Sequence, residues 1–276
     1  MTKGVLLFVN HNPAVDYILL AEHCAERVQQ FLNLPVSIAT NVRTNNSVFD
    51  SVIDTSNITH SSFSRRLRNG CSETYTIPFN NYTRTLAYNL TPYDKTLILD
   101  VDYLLANSLL LDCFTTDNDF LLYSNSSKIA KEDNDKEYVY LDDKGIKFYW
   151  ATVIYFTKTP RVKILFDLAQ HIQENYDYYR LLYGIRHGKT LRNDFVFSIA
   201  IHILNGYTKT AWPAEPPGKM LYIEDSDLVY KIDKDKFTFL MEKAHRPEDY
   251  TLAHTKGLNV HVMNKLGLID RLKCYE

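Results

Sequence analysis

The chain has 276 residues, 45% of them hydrophobic and 13% aromatic, enough to bury a sizeable core in one large domain or two smaller ones. A formal net charge of −2 excludes the bulk basic footprint of a protein that holds nucleic acid or an anionic membrane by charge alone. The 4 cysteines (Cys24, Cys71, Cys113 and Cys274) lack metal or redox spacing and read as reduced thiols of a reducing compartment. No stretch reads as a signal peptide or reaches transmembrane length, so the expectation is a cytoplasmic protein without a membrane partner.

Residues 4–10 form a continuous apolar run and predict a buried first strand. Asn12-Pro13 punctuates, and from Val15 to Phe31 apolar residues recur at helical spacing, with Cys24 on that face. Residues 35–40 predict a second strand, and strand–helix–strand argues for a parallel sheet. No Gly-x-Gly-x-x-Gly follows the first strand, which argues against a dinucleotide cofactor. Residues 41–80 are polar and read as irregular, apart from a third strand at 49–54. They include the basic run Arg65-Arg66-Leu67-Arg68, which reads either as a solvated loop face or as a phosphate contact. Residues 83–90 read as helical, with Arg84 and Tyr88 one turn apart.

The stretch that follows is the most informative in the chain. A turn signal at 91–94 precedes Leu97-Ile98-Leu99, and the apolar run breaks off in Asp100 and Asp102. In an open α/β sheet, ligands bind at the carboxyl ends of the strands. Two acids at i and i+2 of an extended segment can face one point, where a divalent cation clamped to substrate phosphates would neutralise them. Beyond them, 103–112 reads as helical or extended, 121–123 as a strand, 128–136 as an exposed charged loop and 148–156 as an aromatic-rich strand. Thr159-Pro160 opens a helix to about residue 174, a second helix covers 177–184, and an apolar helix covers 195–204, for which Asn193 or Asp194 could serve as the cap. Residues 212–218 are the densest turn-forming stretch, 219–250 read as an α+β appendage, and 258–265 as a short strand bearing His261 and Lys265.

In this order the motifs resemble the GT-A glycosyltransferases, a family that includes glycogenin-like enzymes and bacterial galactosyl- and glucosyltransferases. The resemblance is carried by Arg84, Tyr88, Pro92-Tyr93 and Leu99-Asp100-Val101-Asp102 within residues 1–207, and by His261 and Lys265. The chain departs from the family at Tyr149-Trp150-Ala151-Thr152, where Asn-Ala-Gly is usual, and lacks the Lys-Pro-Trp that usually follows the terminal histidine. It also resembles proteins of tailed bacteriophages, for which the compartment would be the host cytoplasm. The family resemblance implies an α/β GT-A fold with a central, mostly parallel sheet flanked by helices. It implies a catalytic domain over 1–210, and a C-terminal extension over 211–276 that packs back and lends a His/Lys segment to the site.

The function so implied is metal-dependent transfer of a sugar from a nucleotide-sugar donor, a UDP-sugar first, to a hydroxyl acceptor. The phage likeness adds a hydroxymethylated pyrimidine in DNA as one acceptor. Mn²⁺ or Mg²⁺ would be held by Asp100, Asp102 and His261, with His254 as the competing histidine. Asn10, Thr40 and Asn41 would contact the nucleoside, while Arg84 and Lys265 would add positive charge near the phosphates. Asp194, beside Asn193, would be the base of an inverting enzyme, or would orient donor or acceptor in a retaining one. A DNA acceptor would require Arg65, Arg66, Arg68, Arg186, Lys189 and Arg192 to share one face around the cleft. Two other readings share the frame. One is a degenerate GT-A domain acting as a binding or structural module. The other is a metal-dependent nucleotidyltransferase, disfavoured by the lack of a Gly-rich or Lys-rich loop near the first strand. The sequence does not fix an oligomeric state.

Overall fold

The structure, a computed structural model, describes all residues except 59–62, 71–72, 80–81, 130–138, 142–144, 186–189, 244–245 and 275–276, and does not describe the side chains of Phe63, Arg65 and Phe79. Strand β1 (Lys3–Val9), helix α1 (Tyr17–Leu32), β2 (Val36–Thr40) and β3 (Ser51–Asp54) open the chain, and β1, β2 and β3 pair in parallel. The unbroken apolar run of β1 fits a strand covered on both faces. Asp16 starts α1 by accepting from the Leu19 amide at 3.1 Å, and Asn33, in the left-handed region at φ 49°, ends it.

The region expected to be irregular contains a hairpin, β4 (Phe63–Asn69) with β5 (Glu73–Phe79). The basic run therefore lies on a strand, not in a loop. Alternation buries Leu67 completely and turns Arg66 and Arg68 to the opposite, exposed face. Thr83–Leu86 forms one turn of 3₁₀ helix that runs into α2 (Ala87–Leu90). It feeds β6 (Lys95–Leu99), which pairs in parallel with β1. β7 (Tyr103–Leu104), β8 (Phe120–Tyr123), β9 (Ser126–Lys128) and β10 (Trp150–Thr157) follow. The six-stranded sheet has the order β3-β2-β1-β6-β10-β8, and only β10 runs against the other strands. It is the central, mostly parallel sheet that the motifs implied.

Helix α3 (Pro160–Glu174) begins where expected. Thr159 caps it through the Val162 amide at 3.3 Å, and Val162, Leu165, Phe166 and Ala169 are buried. α4 (Tyr176–Leu182) and α5 (Asn193–Leu204) follow. Asn193 and Asp194 are the first residues of α5; the capping position belongs to Arg192, which makes no side-chain cap.

The segment expected as α+β is, in its described residues, all strand: β11 (Met220–Ile223), β12 (Leu228–Ile232), β13 (Lys236–Lys243) and β14 (Arg246–Lys256). Only after β15 (Val260–Val262) does a helix come, α6 (Lys265–Lys273). A second sheet, β7-β15-β11-β9, interleaves strands from both halves of the chain. Lys128, expected in an exposed loop, instead ends β9. Its side chain is 12% exposed and pairs with Glu224 at 2.6 Å and Asp227 at 3.2 Å, because the turn after β11 brings two carboxylates to it. Residues 130–136 of that expected loop lie outside the described residues. Cys24 and Cys113 are buried free thiols, both pushed up to about 12 by burial; Cys274 is exposed and free, and Cys71 lies outside the described residues. Among the described residues no helix is long and apolar enough to cross a membrane.

Candidate functional site

Asp100 stands at the carboxyl end of β6, its amide bonded to the Thr152 carbonyl of β10 at 2.9 Å. The chain then turns, with the Tyr103 amide donating to the Asp100 carbonyl at 3.0 Å. Asp100 and Asp102 thus converge through a turn, not through the extended geometry their spacing suggested. The two-residue β7 pairs with β15, setting Tyr103 opposite His261, and the Asp102 carbonyl accepts from the Val262 amide at 2.9 Å. Asn264 closes the constellation from the other side. Its carboxamide accepts from the Gly267 amide and donates to the Asp227 carbonyl, both at 2.8 Å, starting α6 with Lys265 in its first turn.

Asp100, Asp102 and His261 each offer one ligand atom, and these atoms lie within 4.8 Å of one another. His261 Nε2 is 3.7 Å from Asp100 Oδ2 and 3.4 Å from Asp102 Oδ1, and its Nδ1 faces the Thr152 hydroxyl at 3.4 Å. The Lys265 ammonium pairs with the second Asp102 oxygen. The Arg84 guanidinium pairs with Asp100 and also donates to the Ala151 carbonyl at 2.5 Å. The Asp102 side chain is 2% exposed and that of Asp100 22%. Burial works to raise the Asp102 carboxyl, but the Lys265 ammonium and His261 outweigh it and hold that carboxyl well below the usual carboxylate range.

This group forms part of the lining of a cleft of about 510 Å³. Asn10 and Asn12 line it from the β1–α1 connection, Tyr17 from the first residue of α1, Arg66 and Arg68 from β4, and Arg192, Asn193 and Asp194 from the start of α5. Asn10 donates to the Thr83 hydroxyl at 3.4 Å. Both oxygens of Asp194 are engaged: Oδ1 accepts from the Ala151 amide at 2.8 Å, and Oδ2 takes the Arg192 guanidinium at 2.8 and 3.0 Å. Thr40 and Asn41 are not among the lining residues. The Thr40 hydroxyl accepts from the Val42 amide at 3.0 Å, and the Asn41 carboxamide accepts from the His11 amide at 2.7 Å. His254 sits on β14, bonded to the Thr238 hydroxyl at 3.0 Å, and it does not line the cleft. Arg186 and Lys189 lie outside the described residues, as does the side chain of Arg65.

Sequence reasoning did not find Asn12, Tyr17 or Thr152. Thr152 reaches His261 only because β10 runs antiparallel beside β6, a pairing that no local signal encodes. Tyr17 carried a weak signal, an aromatic residue just after the Asn12-Pro13 break at the end of a buried strand.

No family model and no curated protein matches this chain. Similar solved structures include the glycosyltransferase GlyE of Streptococcus pneumoniae TIGR4, at 14% identity and a TM-score of 0.39 over 74% of this chain and 43% of that chain. An active-site mutant of LgtC is similar at 15% identity and a TM-score of 0.43, over 71% of this chain and 69% of that chain. The galactosyltransferase LgtC in complex with donor and acceptor sugar analogues is similar at 13% identity and a TM-score of 0.37, over 71% and 70% respectively. The chain thus spans under half the length of GlyE, and its activity has to be derived from its own site.

Proposed function

We propose that this protein is a metal-dependent glycosyltransferase that moves a sugar from a nucleoside-diphosphate sugar, with a UDP-sugar as the first donor to test, onto a hydroxyl acceptor. The observation that carries the reading is the Asp100–Asp102–His261 group, drawn within 4.8 Å at the carboxyl end of the central strands and flanked by Lys265 and Arg84. Two carboxylate oxygens and one imidazole nitrogen are a donor set that suits Mn²⁺, and Mg²⁺ less well. The Thr152 hydroxyl at Nδ1 leaves Nε2 turned to the carboxylates, the orientation a ligating histidine needs. Held by Asp100, Asp102 and His261, a divalent cation supplies Lewis-acid charge to a diphosphate leaving group.

The remaining residues act by position. Lys265 and Arg84 place fixed positive charge beside the carboxylates, so the leaving diphosphate meets preorganised cations. Asn10 presents a carboxamide to the nucleoside end of the donor. Asp194, locked by the Ala151 amide and Arg192, orients donor or acceptor and is not a free base.

Calorimetric titration of UDP with and without Mn²⁺, on the wild type and on Asp102→Ala, tests this reading. The expected outcome is Mn²⁺-dependent binding in the wild type, weakened at least tenfold in the variant, by roughly the 1.4 kcal/mol or more that tenfold represents. One observation favours a second reading, a binding module without catalysis: Arg84 and Lys265 by themselves neutralise both aspartates. Absence of nucleotide binding under every metal condition would move the assignment there.

A further inference from the structure

We infer that the acceptor carries phosphate, and that Arg66 and Arg68 of β4 hold it at the wall of the cleft. This deepens the glycosyl-transfer reading and rests on it for the word acceptor. The anion-binding wall itself rests on the geometry below.

Most of the charges that line the cleft pair off. Arg84 is matched by Asp100, Lys265 by Asp102 and Arg192 by Asp194. Glu224, another lining residue, is matched by Lys128. Arg66 and Arg68 line the same cleft, are exposed, and pair with no described carboxylate. Asp225 is the one acidic lining residue left to oppose them. Two guanidinium groups on one strand face, each presenting a planar fork of donors, match the oxygens of phosphate groups better than a neutral sugar.

The wall is built, not merely charged. Leu67, fully buried between the two arginines, pins β4 to the core and so fixes which face they take. The hairpin is tied at both ends: the Asn12 carboxamide donates to the Pro78 carbonyl at 3.2 Å, and the Gly70 amide donates to the Asp225 carbonyl at 3.0 Å. At i and i+2 the arginines stand about 6.8 Å apart along the strand, so they can clamp one phosphate between their tips or take two successive ones.

The donor does not need them. Its diphosphate belongs beside the metal-ligating group and Lys265, where Asp102, His261 and Lys265 are buried and Asp100 is largely covered, whereas the arginines are exposed. What remains for them is the anionic part of the second substrate. In the transfer, the acceptor oxygen bonds to the anomeric carbon, the bond from that carbon to the diphosphate breaks, and the hydroxyl proton is released as the nucleoside diphosphate leaves. The acceptor's own phosphate anchors and does not react.

The test uses the full chain, wild type and Arg66→Gln/Arg68→Gln, with three probes: a fluorescein-labelled single-stranded oligodeoxynucleotide, glucose 6-phosphate and neutral maltotriose. Alongside them run the Mn²⁺–UDP titration and a thermal melt. The expected result is binding of at least one phosphate probe, weakened about tenfold or more in the double variant, with UDP affinity and melting temperature unchanged. For the oligonucleotide, two phosphate contacts predict a slope of log affinity against log salt of about −1.4 that the variant abolishes. Preference for the oligonucleotide or for the sugar phosphate tells a polymeric from a small acceptor. The inference is overturned if neither phosphate probe binds, if the variant binds them as tightly as the wild type, if maltotriose competes equally, or if the variant loses UDP binding in parallel. Arginine-dependent phosphate binding without any UDP binding in the wild type would remove the donor reading and leave the anion wall standing.

Discussion

Lys265 occupies a position that local rules disfavour, a cation in the first turn of a helix, where the macrodipole attracts anions. Among the described residues it is compensated by Asp102, a carboxylate 2% exposed that in turn has no bulk water to solvate it. Each residue is tolerable because of the other. Lys265→Met therefore leaves a buried carboxylate with a single weak partner in His261 and is expected to cost about 3 kcal/mol, read as a lowered urea midpoint. Asp102→Asn combined with Lys265→Met is expected to recover much of that loss; a double variant no more stable than Lys265→Met alone would refute the coupling. At this scale much of the site was legible. Asp100 and Asp102 stand out by their place after an apolar strand, whereas His261 and Lys265 are marked only by the family resemblance, and the structure brings the three possible ligands together. Thr40 and Asn41 have only their place at a strand end to mark them, and their side chains turn to neighbouring amides.

At the scale of elements, the first sheet could be read because β1 is a continuous apolar run and β2 and β6 are mostly apolar, all three largely buried on both faces. The β4–β5 hairpin could not, because β4 sets a lone Leu67 among polar and charged residues and β5 is polar at its start and carries Pro78, so both look like solvated loop until a partner strand is known. Close packing between elements was equally silent. A Cβ added to Gly4 of β1 would lie 2.3 Å from the Tyr93 ring, whose hydroxyl is bonded to Ser37 of β2 at 2.7 Å. Gly4→Ala is expected to cost about 1–3 kcal/mol, measured by thermal denaturation, because the ring must leave that place. The α6 cap is a second such joint. Asn264→Ala removes the bond to the Gly267 amide and strands the buried Asp227 carbonyl, for an expected loss of about 1–2 kcal/mol. Because α6 carries Lys265, the same variant is expected to weaken Mn²⁺–UDP binding, and an unchanged affinity would show that the cap does not position the lysine.

Across the whole molecule, buried polar side chains of α1 couple distant parts of the chain. The Arg27 guanidinium, buried at 5% exposure, bonds the Leu105 and Lys234 carbonyls, both at 2.6 Å, and lies 5.0 Å over the Phe237 ring. One turn away, burial, and to a lesser degree Arg27, push the His23 imidazole down to about 4 from its ordinary 6.5. The folded protein keeps His23 neutral in that interval while the unfolded chain protonates it. Its contribution to stability is therefore complete above pH 6.5 and is lost as pH falls toward 4, by up to about 3 kcal/mol. Urea unfolding between pH 7 and pH 4.5 is expected to show a steeper fall for the wild type than for His23→Gln; parallel curves would remove His23 as the cause.

The second sheet, with β7 joined to β15, has a consequence for biosynthesis. The ribosome delivers the strands of the large sheet and both aspartates long before it delivers His261 and Lys265. Until then Asp102 has neither its ammonium partner nor the strand that covers it, and water must keep it solvated. A nascent chain can thus assemble its apolar framework early, but its acidic centre can seal only when β15 and α6 dock. Truncation or stalling before that point should leave a polypeptide with the large sheet in place and an open, hydrated acidic pocket.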